Sequence, residues 1–233
     1  MDGNIRKKKM ILLATILLLT VAIVTGLIFG LMTRSKPRTF EEKVEAFAKE
    51  NPTLAQGQIV FIGDSMTARY KLDRYYGDLE LAVYNRGISG DTVTWLQTRL
   101  YTSLLALAPS KVVLMIGTND INYGKSAQEI SNEYENLLRL IRQDLPNAEI
   151  FCVSIIPQNT DYSKDALSNN ARICESNEKI KVLANAYACE YIDLYSLLVD
   201  ESGLLNSKCS ADGLHLNNKG YAVWTDVIKE RLR

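Results

Sequence analysis

The chain has 233 residues, of which 47% are hydrophobic and 23% are charged. Its length fits one domain with an appendage, and its composition is typical of a globular protein rather than a disordered or collagen-like one. The charge is uneven, because residues 1–38 carry seven basic residues and one acidic residue, which leaves 20 basic and 26 acidic residues, a net charge of −6, in 39–233. Such a domain offers no basic surface for a phosphate backbone, which argues against nucleic acid as a partner.

Residues 10–32 form an apolar stretch without a charged side chain. A membrane helix needs about 20 such residues to cross about 30 Å of hydrocarbon, so the stretch is long enough. A cleaved signal peptide is the main alternative, but its apolar core usually has only about 7–15 residues and ends in small residues. We therefore predict a basic tail at 1–9 and an uncleaved transmembrane signal anchor at 10–32.

The basic cluster at residues 6–9 favours an orientation with the N-terminus inside the cell. Three basic residues on the other side of the stretch weaken this contrast. We therefore expect a single-pass protein of the cell membrane whose folded domain is extracellular.

Residues 33–57 are interpreted as a spacer with a short amphipathic helix at 39–49, and residues 58–233 as the main domain. Short apolar stretches, typical of buried parallel strands, occur in that domain at 58–62, 81–84, 111–116, 149–156 and 191–194. Helical spacing of apolar residues occurs between and after them at 92–107, 126–145, 168–187 and 217–232. This alternation predicts an α/β fold: a doubly wound, mainly parallel five-stranded sheet with helices on both faces. Ligands of such folds bind at the carboxyl ends of the strands.

The four cysteines form no CxxC pair and no metal-binding spacing with the only histidine, so the sequence predicts no metal site. Cys152 lies in an apolar stretch and is interpreted as a small buried residue. Cys174 and Cys189 are expected on one helix, over about 20 Å apart and too far to bridge. A bridge between Cys189 and Cys209 stays open.

The first polar motif is Gly63-Asp64-Ser65, directly after the first predicted strand. A serine that opens a helix at the end of a strand is well placed as a nucleophile, since the helix N-terminus supplies N–H donors and favours an anion. Asp and Ser are also common helix caps, so the triplet is not decisive alone.

Two more motifs follow the second and third predicted strands: residues 85–92 (NRGISGDT) and 117–120 (GTND). A fourth, residues 212–215 (DGLH), lies just before the last predicted helix and contains the only histidine. Glycines allow a tight turn and close approach of the backbone, and the amide of Asn119 can donate to an oxyanion. An acid three residues before a histidine can orient its imidazole, as Asp212 could for His215. Each motif also has an ordinary structural explanation, such as a turn.

Together the four motifs, in this order, resemble the SGNH (GDSL-like) hydrolase family, which is named for Ser, Gly, Asn and His in four sequence blocks. The resemblance covers residues 58–228 and implies the three-layer, flavodoxin-like sandwich of that family. One departure is Met66 in place of the Leu of the family name, an apolar exchange of similar volume.

The resemblance implies a Ser65–His215–Asp212 triad, with Ser65 as nucleophile and His215 as proton carrier. It also implies an oxyanion hole made by the backbone N–H groups of Ser65 and Gly90 and the side chain of Asn119. Asp64 and Gly87 would be supporting residues, Asp64 for the loop and Gly87 for the turn. No cofactor is implied.

The expected activity is hydrolysis of carboxylic esters, with small acyl groups such as acetyl esters of glycans preferred. A lysophospholipase, a thioesterase and a glycan O-acyltransferase are alternatives with the same triad. A non-catalytic binding domain is the alternative from another class. The expected partners are an ester of a small molecule, glycan or lipid, and the membrane through residues 10–32.

Overall fold

The computed structural model describes residues 40–233, which contain a sheet of five parallel strands. The strands are β1 (Ile59–Gly63), β2 (Val83–Gly87), β3 (Lys111–Met115), β4 (Glu149–Val153) and β5 (Glu190–Ile192). Their spatial order is β2-β1-β3-β4-β5. The chain therefore winds in one direction from β1 to β2 and in the other from β1 through β3 to β5. The crevice at the carboxyl ends of β1 and β3 lies at this switch point, where ligands bind in such sheets.

Ten α-helices cover the sheet within the described range. They are α1 (Phe40–Glu50), α2 (Ser65–Ala68), α3 (Leu72–Tyr76), α4 (Val93–Thr98), α5 (Leu100–Ser103), α6 (Thr118–Asn122), α7 (Ala127–Asp144), α8 (Ala166–Ala186), α9 (Tyr195–Leu198) and α10 (Asn218–Leu232). Short 3-10 turns occur at Asn51–Thr53 and Leu105–Leu107. The predicted five-stranded α/β fold is thus confirmed.

Each face of the sheet is covered by its own hydrophobic core. Successive residues of a strand point to opposite faces, so Val60 and Ile62 enter one core while Ile59 and Phe61 enter the other. The first core takes in apolar residues of α4, α5, α7 and α8, and the second those of α2, α3, α9 and α10. Burial on both faces explains why the strands have continuous apolar sequences.

The amphipathic helix expected at 39–49 corresponds to α1. Phe40 and Phe47 are its buried residues, and both pack in a small cluster with Ile88. Its C-terminal Glu50 forms an ion pair with Arg86, with 2.9 Å between Oε2 and Nη1. The described part of the predicted spacer therefore packs against β2 and the loop that follows it.

The helix predicted at 92–107 is divided into three parts, α4, α5 and the 3-10 turn. The breaks fall at Arg99 and Leu104, whose backbone angles are not helical. Apolar side chains of all three parts still enter the first core, which is why the sequence showed helical spacing.

The transmembrane helix predicted at 10–32 and the tail at 1–9 lie outside the described residues. Among the helices of residues 40–233, none combines the length and the apolar composition needed to cross a membrane. All four cysteines lie in the described range and are free thiols, so the Cys189–Cys209 bridge left open by the sequence is not formed.

Candidate active site

Ser65 is the first residue of α2 and follows the carboxyl end of β1 with one residue between. Asp64 caps this helix, because its Oδ1 accepts a hydrogen bond of 2.9 Å from the Met66 N–H. Ser65 is 8% exposed, so it is largely buried at the start of this helix. The first predicted motif therefore both caps a helix and presents a serine, and the two interpretations are compatible.

His215 connects Ser65 to Asp212. Its Nε2 lies 3.1 Å from Ser65 Oγ, and its Nδ1 lies 2.7 Å from Asp212 Oδ2. The structure thus brings together three side chains that the sequence separates by up to 150 residues. This is the order hydroxyl, imidazole, carboxylate that a nucleophile with a general base requires.

The loop that carries His215 is organised by Asp212 itself. Asp212 Oδ1 accepts hydrogen bonds from the backbone N–H groups of Leu214 (3.0 Å) and His215 (2.7 Å). Burial alone would raise the pKa of Asp212, but the bonds from the His215 ring and from these N–H groups outweigh it and hold the pKa well below its usual range. The carboxylate is therefore ionised throughout the neutral range.

Gly90 and Asn119 follow β2 and β3, which end level with β1, since Gly63 pairs in register with Gly87 and Met115. Gly90 has a φ of +82°, a conformation that favours glycine. Asn119 lies in α6, and its Nδ2 donates a bond of 2.8 Å to the carbonyl oxygen of Asp91. This bond links the side chain of Asn119 to the residue that directly follows Gly90, so the two predicted oxyanion donors are held near each other.

Gly87 is the last residue of β2 and does not lie in a turn, which differs from the sequence interpretation. A Cβ at this position would lie 2.2 Å from the backbone nitrogen of Ala68 in α2. The glycine therefore permits the helix that begins with Ser65 to pack directly against the end of the neighbouring strand.

A buried ion pair below the site was not predicted from the sequence. Arg99 and Asp91 lie 2.6 Å apart at their closest atoms, and both side chains are at most 1% exposed. Arg99 also donates to the carbonyl oxygens of Arg86 (2.9 Å) and Gly63 (3.0 Å). One guanidinium thus ties the ends of β1 and β2 to the loop of Gly90.

A second buried carboxylate, Asp120, fixes the adjacent motif. Its Oδ2 accepts a bond of 3.1 Å from the Val93 N–H, and its Oδ1 lies 2.7 Å from Lys125 Nζ. Lys125 also contacts Glu133 at 2.6 Å. The start of α4 is therefore held against the motif that carries Asn119.

Three buried acids surround this edge of the sheet. Desolvation by burial raises the pKa of Asp64 to about 7 and those of Asp91 and Asp120 to about 6, although Arg99 and Lys125 oppose the last two shifts.

No three His, Cys, Asp or Glu side chains of residues 40–233 form a group that could hold a metal ion.

The sequence profile of the GDSL-like lipase/acylhydrolase family matches residues 61–223, more than half of the chain. The chain belongs to this family. Its predicted membership is confirmed, and the protein is a hydrolase that acts on ester bonds.

Relatives of this acylhydrolase include the platelet-activating factor acetylhydrolase IB subunit alpha2 of Rattus norvegicus. The two are 29% identical over 171 residues, which cover 70% of this chain and 71% of the relative. A solved structure from Streptococcus pneumonia, described as a platelet activating factor, is 29% identical with a TM-score of 0.78, and the match covers 91% of this chain and 99% of that one.

An acetylxylan esterase from Geobacillus stearothermophilus is similar in fold. It is 21% identical with a TM-score of 0.59, and the match covers 77% of this chain and 95% of that chain. At this identity the likeness concerns the fold alone.

Three of the four motifs of the acylhydrolase domain thus lie at strand ends, and the fourth lies before the last helix, as the sequence predicted. What the sequence did not reveal are the groups beneath them, because the partners of Asp91 and Asp120 lie on other segments. The signal for Arg99 was its position within an otherwise apolar helical pattern, but such a residue is usually solvent-exposed.

Proposed function

We propose that this acylhydrolase cleaves carboxylic esters through Ser65, His215 and Asp212, and that its substrates are acetyl esters of glycans. The observation that carries the proposal is His215, whose two ring nitrogens lie 3.1 Å from Ser65 Oγ and 2.7 Å from Asp212 Oδ2. Distances of this size allow proton transfer at one nitrogen while the other is held by a carboxylate.

In the first step, Ser65 Oγ attacks the ester carbonyl carbon and His215 Nε2 takes the hydroxyl proton. The negative charge on the carbonyl oxygen is stabilised by the N–H groups of Ser65 and Gly90 and by Asn119 Nδ2. The C–O bond to the alcohol then breaks, and the alcohol leaves with the proton from His215. An acyl group remains on Ser65.

In the second step, water attacks the acyl carbonyl and gives a proton to His215. Collapse of this second intermediate breaks the bond to Ser65 Oγ, which regains the proton, and the acid is released. Asp212 stabilises the imidazolium in both steps, since its low pKa keeps it ionised. No redox change or cofactor is needed for this sequence of bonds.

The name of one relative supports a small acyl group. That relative, which is 29% identical, is an acetylhydrolase. Its name specifies acetyl as the acyl group, in agreement with the preference drawn from the sequence. Longer acyl chains, thioesters and transfer to a glycan hydroxyl are the competing outcomes.

The test is hydrolysis of p-nitrophenyl esters from acetate to octanoate by the full chain in detergent. Ser65→Ala and His215→Ala are compared with Ser168→Ala, an exposed serine on α8. We expect loss of at least about 10³-fold in the first two variants and unchanged rates in the third. Acetate should be the preferred ester, and a serine-directed fluorophosphonate should label Ser65. Full activity in Ser65→Ala would refute the proposal, and an octanoate optimum would refute its acetyl part.

The membrane anchor is a further part of this proposal, supported by the uncharged sequence of residues 10–32. We expect the full chain to remain with membranes after carbonate extraction. Cys174 is exposed and can report orientation, because a membrane-impermeant maleimide should label it in intact cells. A Cys174→Ser variant controls for labelling elsewhere. If Cys174 is labelled only after lysis, the domain faces the inside of the cell, opposite to the proposed orientation. Release of the protein by carbonate would refute the anchor.

A further inference from the structure

Six large apolar or aromatic side chains of the described residues are exposed, and two of them belong to segments of the active site. These are Tyr123, 37% exposed, and Tyr162, 43% exposed. The other four lie on α5, α8 and α9: Tyr101, Leu167, Val182 and Leu197. Exposed aromatic residues beside a nucleophile are candidates for substrate contacts.

Tyr123 is fixed to the motif that supplies Asn119. It caps the C-terminus of α6, and its backbone N–H donates a bond of 2.8 Å to the carbonyl oxygen of Asn119. Its ring meets that of Trp95 edge-on, with centroids 6.1 Å apart and planes at 64°. The backbone of Tyr123 is therefore held to the motif of Asn119, and its ring has a defined orientation against Trp95.

Tyr162 is fixed to the loop of His215. Asn159 donates a bond of 2.8 Å to the Gly213 carbonyl, and Tyr162 donates one of 3.0 Å to the Asn159 carbonyl. Gly213 lies so close that a Cβ there would be 2.7 Å from Tyr162 N. The tyrosine is therefore carried by a loop that is docked beside Asp212 and His215.

The two tyrosines are connected. The Tyr162 hydroxyl accepts a bond of 3.1 Å from Asn122 Nδ2, and Asn122 directly precedes Tyr123. Asn122 Oδ1 in turn accepts a bond of 2.7 Å from Gln158, a fully buried residue. Partial burial, with further contributions from Asp212 and Tyr123, raises the pKa of Tyr162. The two tyrosines thus form an aromatic rim whose members are connected to each other and to the segments that carry Asn119 and His215.

We propose that this aromatic rim, Tyr123 and Tyr162, binds a pyranose ring of the substrate and makes the enzyme selective for acetyl esters on cyclic sugars. The inference rests on the proposed esterase function and specifies its alcohol part. A pyranose has an apolar C–H face for an aromatic ring and a polar edge for hydrogen bonds. The rim offers both, because the exposed polar residues Thr160 and Asp161 adjoin Tyr162.

The kinetic test compares two substrates that each carry three acetyl esters: methyl tri-O-acetyl-β-D-xylopyranoside, which has a ring, and glycerol triacetate, which has none. The readout is the ratio of kcat/KM for the cyclic over the acyclic ester, measured with the full chain. In Tyr123→Ala and Tyr162→Ala we expect this ratio to fall about tenfold, mainly through KM of the cyclic ester. Tyr123→Phe and Tyr162→Phe keep the ring and should keep the ratio within about twofold.

Tyr101→Ala is the matched control, since Tyr101 is an exposed tyrosine on α5. Its ratio should equal that of the wild type. An unchanged ratio in both rim alanine variants would overturn the proposal. So would an equal loss on p-nitrophenyl octanoate, which would assign the rim to an acyl chain.

A binding measurement separates this inference from the esterase proposal. Ser65→Ala protein is mixed with methyl tri-O-acetyl-β-D-xylopyranoside, and saturation transfer from the protein to the sugar ring protons is recorded. We expect saturation transfer to the sugar with the Ser65→Ala protein and none with the double variant Ser65→Ala, Tyr123→Ala. If the sugar binds in this way but the wild type hydrolyses no ester, the esterase proposal is wrong and the proposal that the rim binds a pyranose still stands. No transfer in the Ser65→Ala protein would overturn the rim.

Discussion

Asp212 binds His215 with both oxygens of one carboxylate. Oδ2 lies 2.7 Å from the imidazole Nδ1, and Oδ1 lies 2.7 Å from the His215 backbone N–H. The acid therefore fixes the position of the residue and the orientation of its ring at the same time. It also selects the tautomer, because an Nδ1–H that donates to Asp212 leaves Nε2 free to accept the Ser65 proton.

This double contact predicts that Asp212→Asn loses activity with little loss of structure. The amide oxygen can still accept from the backbone N–H groups, but the amide nitrogen cannot accept from Nδ1–H. We expect kcat to fall by about 10²–10⁴ with a small change in KM. The measurement is steady-state hydrolysis of p-nitrophenyl acetate with circular dichroism as a folding control. Asp212→Ala should be less stable as well, and equal stability of the two variants would count against the double role.

Asn119→Ala should remove one oxyanion donor. Its Nδ2 donates to the Asp91 carbonyl, and the second hydrogen of the same nitrogen is the one expected to reach the substrate oxygen. We expect kcat to fall about 10²–10³-fold. Asn132→Ala, on the exposed surface of α7, is the control. Retention of more than half the wild-type kcat in Asn119→Ala would exclude this role for the side chain.

The buried pair of Arg99 and Asp91 predicts a stability effect that depends on which partner remains. Arg99→Met leaves an unpaired buried carboxylate, which typically costs about 3–5 kcal/mol of unfolding free energy. The double variant Asp91→Asn with Arg99→Met should be less destabilised than Arg99→Met alone, since no charge is left without a partner. Urea unfolding of both proteins provides the comparison. A double variant that is less stable than the single one would contradict the expected coupling.

Asp64 predicts a pH dependence of stability. Its pKa is raised from 3.8 to about 7 in the folded protein, so between these values the folded state holds a proton that the unfolded state releases. The free energy of unfolding contributed by this group therefore falls as pH rises from about 4 to 7 and is level above.

An asparagine at this position can keep the bond to Met66 N–H without carrying a charge. Asp64→Asn should match the wild type near pH 4 and exceed it by about 2–4 kcal/mol at pH 8. Unfolding midpoints of both proteins, measured at the same series of pH values, give this difference. A constant difference across the series would show that ionisation of Asp64 is not its cause.

The regular elements could be predicted because their signals are local. The buried strands β1, β3 and β4 are short apolar stretches, and helices α7 and α10 begin and end within about one residue of the predicted ranges. The predicted range for β2, 81–84, begins and ends too early, because the last residues of the observed strand, Val83–Gly87, are polar. Asn85 and Arg86 are included since backbone pairing with β1, rather than apolar side chains, defines this strand.

The residues of the proposed triad and oxyanion hole could be named because four motifs together resemble the family pattern. Three of these motifs adjoin the ends of β1, β2 and β3, which meet at one edge of the parallel sheet, and the fourth lies just before α10. The supports behind them depend on contacts between distant segments. Arg99 reaches Gly63, 36 residues away, and Asn122 reaches Tyr162, 40 residues away. Neither pair of residues belongs to a sequence motif or follows the periodicity of a helix or strand, so only the folded structure reveals these partners.

The distance along the chain between Ser65 and His215 has a consequence for how activity appears during folding. Every proposed catalytic side chain but two lies in the first half of the domain, while Asp212 and His215 precede the last helix by only a few residues. The site is therefore complete only when residues 212–215 lie beside α2, against which α10 docks through the bond from the Tyr221 hydroxyl to the Met66 carbonyl oxygen. Closing so long a loop is entropically costly. We therefore expect the recovery of ester hydrolysis during refolding to report the step at which residues 212–215 reach Ser65.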